Sequence, residues 1–388
     1  MRRIYLDNNA TTQVHPEVLE AMLPYYRELY GNPSSIHSFG REAAAKLVEA
    51  RETVAGLLGC DPLEIFFTSG GTESDNLAVI GTALANSDKG KHIITSSIEH
   101  KAILNSCHYL ENKGFEVTFL PVDSRGFVDP DELKKAIRKD TILVSIMHIS
   151  NETGTIEDIP KLAEVTKDKG VYFHTDAVQS TGKVPINVEN FGIDMLSASA
   201  HKINGPKGCG FLYIRKGTKV IPRAYGGSHE RNMRAGTENI AGIIGLAKAF
   251  EISSGMMESE ADRYGKLSEK LWKTLTDKVP DIALNGPEDE GRFKNTLNIS
   301  FRGIEAEAII LSLDMEGIAV SSGSACSSGS GDPSHVLRAI GISSTDSRCA
   351  LRFSFGKFTT EDDIDYVLEK LPPIIERLRK MSPVAHND

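Results

Sequence analysis

The first two thirds of this 388-residue chain alternate between strand-like apolar runs and runs with apolar side chains at helical spacing. Strand-like segments at 64–68 and 92–97 alternate with helical segments at 41–58, 72–85 and 101–112. This alternation predicts βαβ units, in which helices cover both faces of a largely parallel sheet. Sheets of this kind bind ligands just beyond the carboxyl ends of their strands.

The pattern changes after about residue 240, where a long helical stretch at 238–278 begins, with a predicted interruption at 253–255. Strand-like runs and helices follow it in a less regular order. Because 388 residues exceed what a single core usually holds, we expect two domains. The predicted large domain spans 15–255, and the predicted smaller α+β domain combines 1–14 with 256–388.

Composition and charge exclude several classes of protein. A net charge of −9 argues against general nucleic-acid affinity. No apolar run approaches the ~20 residues that cross a bilayer, and no apolar signal segment follows Met1. The five cysteines form no CxxC pair and no metal-ligand spacing, and their odd number favours a reducing compartment. We therefore expect a cytoplasmic protein with no membrane or nucleic-acid partner and no bound metal.

A glycine-rich segment, Ser69-Gly-Gly-Thr-Glu-Ser74, lies where the first of these strands is predicted to pass into a helix. Glycine lets the backbone come close to a ligand, and the amides and dipole of a helix N-terminus favour an anion. The hydroxyl of Thr72 would add a further donor. An ordinary capped turn has the same sequence signature, so this motif alone leaves both interpretations open.

Two charged residues lie at the ends of predicted strands later in the chain. Asp176 follows the apolar run 171–174, where a carboxylate is costly unless it meets a cation or hydrogen-bond donors. Lys202 follows the strand 195–198, and a partly desolvated lysine has a lowered pKa and can form a Schiff base. A phosphate site, a carboxylate and a Schiff-base lysine, in this order on a βαβ scaffold, are what pyridoxal phosphate (PLP) requires.

Cys326 lies in a run, 320–332, that has almost no bulky side chains. A helix is predicted to start near Pro333. Serine and glycine neighbours favour an exposed, mobile loop rather than a place in a core. A thiol on such a loop can leave one site and reach another, which suggests sulfur chemistry with transfer of the sulfur atom.

Throughout its length the sequence resembles the cysteine desulfurases of the NifS/IscS type, a group of class V aminotransferases with PLP fold type I. The resemblance rests on ten motifs in the same order: Tyr5-Leu-Asp-Asn-Asn-Ala-Thr-Thr12, Tyr30-Gly-Asn-Pro-Ser-Ser35, Ser69-Gly-Gly-Thr-Glu-Ser74, Ile98-Glu-His100, Asn151-Glu-Thr-Gly154, His174-Thr-Asp-Ala-Val-Gln179, Ser199-Ala-His-Lys202, Arg234-Ala-Gly-Thr-Glu-Asn239, Ser321-Ser-Gly-Ser-Ala-Cys326 and Leu351-Arg-Phe-Ser-Phe-Gly356. It implies an α/β fold with a mostly parallel sheet in the large domain, a smaller α+β domain, and pyridoxal 5'-phosphate as cofactor.

The resemblance also implies roles around the cofactor. Lys202 would hold PLP as a Schiff base and move the proton on the substrate Cα, and Asp176 would pair with the ring nitrogen. Further cofactor contacts would come from Gln179 and Asn151 at the ring hydroxyl, from Gly71, Thr72, Ser199 and His201 at the phosphate, and from Thr237 of the partner subunit. The last contact implies an obligate homodimer.

For the substrate L-cysteine, the resemblance implies that His100 stacks on the ring and acts as acid and base, although a lone histidine is more often structural. Arg352 would bind the substrate carboxylate as a bidentate fork, with Asn151 and Asn8 beside it. The alternative for Arg352 is a salt bridge at the rim. Cys326, as a thiolate, would attack the substrate sulfur and become a persulfide as L-alanine is released.

The implied sulfur acceptor is an Fe–S scaffold protein of the IscU/NifU type, and tRNA thiolation is a second implied route. Two other functions remain open from the sequence. One is another PLP-dependent aminotransferase or lyase in which Cys326 has no catalytic role. The other is a non-enzymatic scaffold that docks sulfur acceptors through its acidic surface and the tail 381–388. Release of alanine and sulfide from cysteine, and labelling of Lys202 by borohydride, would separate the three.

Overall fold

The predicted alternation of strands and helices is present in the structure. The protein is described from a computed structural model, which covers residues 2–323 and 333–381. The strands are β1 Ile4–Tyr5, β2 Ile65–Thr68, β3 His92–Ser96, β4 Glu116–Leu120, β5 Thr141–Ser145, β6 Tyr172–Asp176, β7 Met195–Ser199, β8 Gly210–Ile214, β9 Ile282–Asn285, β10 Thr296–Phe301, β11 Ile318–Ala319, β12 Ser321–Ser322 and β13 Ala350–Ser354. The helices are α1 Pro16–Arg27, α2 Ser38–Leu58, α3 Gly71–Asn76, α4 Thr82–Ala85, α5 Lys101–Glu111, α6 Pro130–Ala136, α7 Ile159–Lys167, α8 Ile240–Ser254, α9 Met257–Lys278, α10 Ala306–Met315, α11 His335–Ala339, α12 Ser344–Arg348 and α13 Glu361–Met381.

Seven strands form the main sheet, in the order β2-β8-β7-β6-β5-β3-β4. All neighbouring pairs are parallel except the two pairs that β8 makes with β2 and β7, which are antiparallel. Every residue of β3, β5, β7 and β8 is buried, as is typical of strands covered on both faces. The predicted α/β fold with a mostly parallel sheet is therefore confirmed.

Alternate residues of these strands face two different cores. In β3, Ile94 packs with side chains of α1, α2, α7 and α8, whereas Ile93 packs on the other face with α5 and with residues 77–83. In β8, Phe211 packs in the same core as Ile94, and Leu212 packs in the same core as Ile93. This division follows from the two-residue period of a strand, which sends successive side chains to opposite faces.

A second sheet, in the order β12-β13-β10-β9, is antiparallel throughout. It shares a core with α9, α10 and α13, and Ile4 and Leu6 from the start of the chain lie in the same core. β1 pairs in parallel with β11, with Ile4 opposite Ile318. The N-terminal segment therefore packs with the last third of the chain, as expected. The domain limits at 14/15 and 255/256 remain a prediction.

The long helical stretch predicted at 238–278 is divided into α8 and α9. In residues 2–323 and 333–381, no single helix is long and apolar enough to cross a membrane. α8 and α9 together pass that test of length and composition, but they are bent by 70° at their break. Most of α8, including Leu246 and Phe250, is buried in the main-sheet core.

Candidate active site

A cavity of about 240 Å³ lies at the carboxyl ends of β3, β5, β6 and β7, where the predicted fold places ligands. β13 of the second sheet contributes to its wall. The cavity brings together ten residues that the sequence marked as candidates: Gly71, Thr72, His100, Asn151, Asp176, Gln179, Ser199, His201, Lys202 and Arg352.

Lys202 lies in a short 3-10 turn, Ala200–Lys202, that follows β7 directly. Its Nζ donates hydrogen bonds to the main-chain oxygens of Asn9 and Ala10, the second at 2.8 Å. The N-terminal segment is held there by the main-chain bond from Thr12 N–H to His201 O, at 2.9 Å. The lysine is thus placed by the end of a buried strand and by the first residues of the chain.

Asp176 is the last residue of β6 and is only 7% exposed. Its Oδ1 accepts the main-chain N–H of Val178 at 2.9 Å. Burial raises the pKa of Asp176, and the nearby His100 and Lys202 lower that pKa in part. Ligand atoms of Asp75, His100 and Asp176 all lie within 4.8 Å of one another. A cationic group that entered the cavity beside Asp176 would lower its pKa further.

Glycines shape the end of the cavity where α3 begins. Gly70 has a φ of 147°, a conformation that favours glycine. A Cβ on Gly71 would come within 2.6 Å of Cγ2 of Val178, so only a bare backbone fits at the first residue of the helix. α3 continues through a π-helical turn, Leu77–Gly81, into α4. The amides at the start of this stretch make a suitable cradle for an anion.

His201 and Ser199 line the same cavity from the end of β7. Nδ1 of His201 lies 3.1 Å from the hydroxyl of Thr11. Burial lowers the pKa of His201 to about 4, with Lys202 contributing in the same direction. The ring is therefore neutral near pH 7 and offers a neutral N–H donor rather than a charge.

His100 is the N-cap residue of α5, and its Nδ1 accepts the N–H of Ala102 at 3.1 Å. In the neutral ring this bond leaves the proton on Nε2. Burial lowers the pKa of His100, with a partly opposing contribution from Asp176. A neutral imidazole with a fixed tautomer can exchange protons with a ligand through Nε2.

Arg352 lies on β13 and is 1% exposed. Its Nη2 is 2.7 Å from Oδ1 of Asp7, and its Nη1 donates to the main-chain oxygens of Asn151 and Gly323, both at 3.0 Å. Its Nε is buried and has no hydrogen-bond partner within residues 2–323 and 333–381. A buried donor without an acceptor is costly, so this end of the cavity is suited to an anionic ligand.

Gln179 and Asn151 complete the wall between these two ends. The amide nitrogen of Gln179 donates to Asn9 O at 2.9 Å, and its Oε1 accepts a hydrogen bond from Nζ of Lys183 at 3.0 Å. Asn151 receives hydrogen bonds at its main-chain oxygen from Asn9 and Arg352. The amide of Gln179 is therefore held in one orientation, with one N–H left for a ligand.

Three of the candidate residues do not line the cavity or lie outside the described part of the chain. Asn8 does not line this cavity, because its Nδ2 donates to the main-chain oxygens of Tyr5 and Ser354 and holds the N-terminal segment against β13. The expected contact of Asn8 with substrate stays a prediction. Thr237 is exposed and does not line the cavity. Cys326 lies outside the described residues.

The described residues on either side of the Cys326 segment contact the cavity wall or residues next to it in sequence. Gly323 O accepts the bond from Arg352, and the hydroxyl of Ser334 donates to Oε2 of Glu152 at 2.6 Å. Nε2 of His335 is 2.9 Å from the main-chain oxygen of Glu99, which directly precedes His100.

Sequence reasoning missed several residues of the site. Asp75 and Asn9 line the cavity, and Met147, Ile149 and Val178 provide apolar surface. Asn9 stands in the motif Tyr5–Thr12, and its place in this motif was a usable signal. Asp75 gave none, because a carboxylate on a helix is usually solvent-exposed.

The fold and the cavity define a PLP-dependent enzyme of fold type I. Residues 4–367 match the family model described as aminotransferase class-V. A cysteine desulfurase IscS of Dictyoglomus turgidum is 54% identical over 382 residues, which cover 98% of this chain and 97% of that protein. A cysteine desulfurase IscS of Methanosarcina thermophila is 52% identical over 384 residues, which cover 99% of this chain and 95% of that protein.

Solved structures agree with this assignment. A NifS-like protein superposes with a TM-score of 0.92 at 42% identity and covers 97% of this chain and 100% of its own. SspA in complex with cysteine superposes with a TM-score of 0.82 at 36% identity and covers 92% of this chain and 100% of its own. The chain therefore belongs to the NifS/IscS-type cysteine desulfurases of the class-V aminotransferase family.

The cofactor of this family is PLP, and the residues present fit it. Oδ1 of Asp75 and Nε of Arg352 are buried at the cavity without hydrogen-bond partners in the described part of the chain. The Gly71 backbone is bare where a phosphate group would approach, and Lys202 and Asp176 supply an amine and a carboxylate in one cavity. The donor set thus matches an aldehyde, a ring nitrogen and a phosphate on one small ligand.

Proposed function

We propose that the protein is a PLP-dependent cysteine desulfurase that converts L-cysteine to L-alanine and leaves a persulfide on Cys326. The observation that carries the proposal is the position of Arg352. Its guanidinium lies in the same cavity as Lys202 and Asp176, and it also binds Gly323, three residues before Cys326. A substrate carboxylate held by Arg352 would therefore lie between Lys202 and Gly323.

Six side chains and the backbone of Gly71 would hold the cofactor, beside Lys202. When bound, PLP supplies an electron sink for negative charge that develops on the substrate. Asp176 would pair with the ring nitrogen, and Gln179 and Asn151 would bind the ring hydroxyl. Gly71, Thr72, Ser199 and His201 would bind the phosphate, since they lie at the start of α3 and the end of β7.

Arg352, with Asn151 beside it, would orient the substrate by its carboxylate. The Nε donor of Arg352 has no acceptor in the described residues, and the Nη2 donor is directed to Asp7. A carboxylate that satisfied Nε would remove the cost of a buried unpaired donor. Nζ of Lys202 would remove and return the proton at the substrate Cα. Nε2 of His100 would exchange the proton of the substrate thiol, because Nδ1 is engaged with Ala102.

The sulfur step balances without any outside oxidant. The Cys326 thiolate would attack the sulfur of the substrate, so that an S–S bond forms as the substrate C–S bond breaks. The electron pair of the C–S bond stays with Cβ, which then takes up a proton. One cysteine and one Cys326 thiol thus give one alanine and one Cys326 persulfide.

We also propose a homodimer in which Thr237 contacts the cofactor phosphate in the partner's cavity. Thr237 is exposed and lies away from the cavity of its own chain. Large apolar side chains near the N-terminus are exposed as well, namely Leu19, Tyr26, Tyr30, Phe39 and Ile36, which is 92% exposed. An exposed apolar surface of this kind is typical of a protein–protein interface.

The sulfur acceptor that we propose is an Fe–S scaffold protein of the IscU/NifU type, and tRNA thiolation is a second route. We expect the enzyme to act in the cytoplasm without direct contact with nucleic acid or membrane. Transfer of labelled sulfur from the Cys326 persulfide to a purified scaffold protein would test the first route. Transfer to free thiols at the same rate would contradict it.

The function is tested by incubating the PLP-loaded protein with L-cysteine. We expect alanine, and after addition of a reductant sulfide, in equal amounts. Peptide mass spectrometry should place one added sulfur atom on Cys326. Cys326→Ala should abolish the added sulfur, whereas the matched control Cys349→Ala should keep it. Alanine-free turnover, or activity unchanged in Cys326→Ala, would favour another PLP-dependent reaction.

The shared site is tested by mixing two inactive chains. Thr237→Ala and Lys202→Ala homodimers should each have little activity. A heterodimer of the two should regain activity, because one of its cavities would have both a wild-type Lys202 and a wild-type Thr237 from the partner subunit. A mixture that stays inactive although native mass spectrometry shows heterodimers would place Thr237 outside the partner's site.

A further inference from the structure

Asp75 is a buried acid in the cofactor cavity that the proposed mechanism does not use. It lies on α3, is 1% exposed and lines the cavity, and its Oδ1 has no hydrogen-bond partner within the described residues. Asp75 lies beside Asp176, and one ligand oxygen of each carboxyl group lies within 4.8 Å of the other. Two carboxylates this close in a buried place cannot both ionise without a large cost.

Within residues 2–323 and 333–381, no cation near Asp75 offsets this cost. Nε2 of His174, on β6, is 3.9 Å from Oδ1 of Asp75. Both ring nitrogens of His174 lie beside serine hydroxyls, at 2.8 Å from Ser145 and 3.0 Å from Ser197. Burial lowers the pKa of His174 to about 3, so that the ring is neutral. Besides Asp176, the titratable neighbours of Asp75 among the described residues are Glu99 and the ring of His100.

The two carboxyl groups differ in what stabilises their charge. Asp176 accepts the N–H of Val178 and lies near His100 and Lys202, which favour its ionised form. Among the described residues, only the Ser197 hydroxyl favours the ionised form of Asp75. Burial raises the pKa of Asp75 well above its usual range, and the charge of Asp176 raises that pKa further. One proton shared by the pair therefore belongs on Asp75.

We propose that Asp75 is a positioning residue that stays protonated and keeps the single negative charge of the pair on Asp176, facing the ring nitrogen of PLP. In this form the O–H of Asp75 is a donor, and no second anion competes for the cofactor. The assignment deepens the proposed function and rests on it, since it concerns the same cavity.

The first test compares PLP binding to two isosteric variants, followed by the absorbance of the bound cofactor. Asp75→Asn imitates a protonated carboxyl group, so we expect PLP affinity within about threefold of wild type and an unchanged spectrum. Asp176→Asn removes the charge and should weaken PLP binding by about tenfold or more, with a shifted absorbance band. Equal losses in the two variants would overturn the assignment. If wild type itself binds no PLP, the proposed function fails instead.

The second test follows thermal unfolding of the full-length PLP-free protein against pH. A carboxyl group whose folded pKa is raised makes the protein lose stability as pH rises above the unfolded pKa. The melting temperature of Asp75→Asn should therefore exceed that of wild type by a margin that grows from pH 5 to pH 8. Glu157→Gln is the matched control, because burial also raises the pKa of Glu157 well above its usual range but Glu157 does not line the cavity. It should change the pH slope and leave PLP binding unaltered.

A third measurement remains available if Asp75→Asn does not fold. In a Glu99→Gln/Glu157→Gln protein, two other carboxyl groups with strongly raised pKa are removed. The infrared carbonyl band of a protonated carboxyl group should persist at pH 7 in this PLP-loaded protein. Loss of the band would overturn the assignment.

Discussion

The guanidinium of Arg352 lies 2.7 Å from the carboxylate of Asp7, so that a residue at the start of the chain positions an arginine close to its end. Asp7 follows β1 and forms a bridge with Ser354, two residues after Arg352. The side chain of Arg352 is buried, with 2% of its surface exposed. Asp7 thereby fixes the direction of the fork that would bind the substrate carboxylate.

Asp7→Asn should raise the KM for L-cysteine by about tenfold and change kcat much less, because the lost contact orients substrate binding rather than the chemical step. Steady-state kinetics of alanine release would measure both. Asp365→Asn, which breaks the exposed pair of Asp365 with Lys270, is the control and should leave both constants unchanged. A lowered kcat at constant KM would show that Asp7 acts in another way.

Lys183 should make stability rise with pH above neutrality. Its Nζ donates to Gln179, and burial, with help from Lys202, lowers the pKa of Lys183 to about 7. Between about 7 and the usual 10.5 the unfolded chain binds the proton that the folded protein has lost, so the free energy of unfolding increases with pH.

Lys183→Met should remove this increase, which amounts to at most about 1.4 kcal/mol per pH unit. Denaturant unfolding at pH 7 and pH 9 would measure it. The exposed Lys161 provides the control, since Lys161→Met should keep the wild-type slope. An unchanged slope in Lys183→Met would show that Lys183 keeps its charge in the folded protein.

The fold was predictable where local patterns are strong. Continuous apolar runs such as β3 and β5 predict buried strands, and the break between α8 and α9 falls close to the predicted interruption at 253–255. The reversed direction of β8 was not predictable, because strand direction depends on the path of the chain and not on composition. β9 was missed for a related reason, since a strand with only one buried residue has a weak apolar signal.

Most residues of the cavity were predictable because they are polar or charged and lie at the ends of apolar strands. A polar side chain there contributes nothing to a core and therefore indicates a site. Asp176 and Lys202 are examples. The supporting contacts were not predictable, since they join distant parts of the chain. Asp7 meets Arg352 across 345 residues, and Gln179 meets Asn9 across 170. The bonds from the amide of Asn8 to the main-chain oxygens of Tyr5 and Ser354 were likewise not predictable.

Glu99 should make the folded protein less stable as pH rises. It is fully buried, its Oε1 accepts bonds from Ser96 and Met147, and its Oε2 has no partner in the described residues. Burial raises the pKa of Glu99 to about 8. Between about 4.5 and 8 the folded protein keeps a proton that the unfolded chain has released, so the stability falls through this window.

Glu99→Gln imitates the protonated acid and should flatten part of the decline in melting temperature between pH 5 and pH 8. Glu157 also titrates abnormally, so a residual slope is expected. Glu42→Gln alters an exposed acid on α2 and serves as the control with a wild-type slope. A Glu99→Gln protein with the full wild-type slope would show that Glu99 ionises normally.

The bidentate pair of Arg51 and Glu230 should be the costliest ion pair to break in this chain. Nη2 of Arg51 is 2.6 Å from Oε1 of Glu230, and Nη1 is 2.8 Å from Oε2. Glu230 also accepts the N–H of Phe67 in β2 at 2.9 Å. The pair therefore holds the segment before Thr237 against the main sheet. Both side chains are nearly buried, at 10% and 2% exposed.

Glu230→Ala leaves the Arg51 charge buried without a partner, which should lower the free energy of unfolding by about 3–5 kcal/mol. Arg51→Met/Glu230→Leu removes both charges and should recover most of that loss. Glu49→Ala breaks the exposed pair with Lys46 on the same helix, α2, and should have little effect. Urea unfolding at one fixed protein concentration would compare the three variants, because the proposed dimerisation would make stability depend on concentration. A double variant less stable than Glu230→Ala would show that the hydrogen bonds of the pair outweigh the cost of burying its charges.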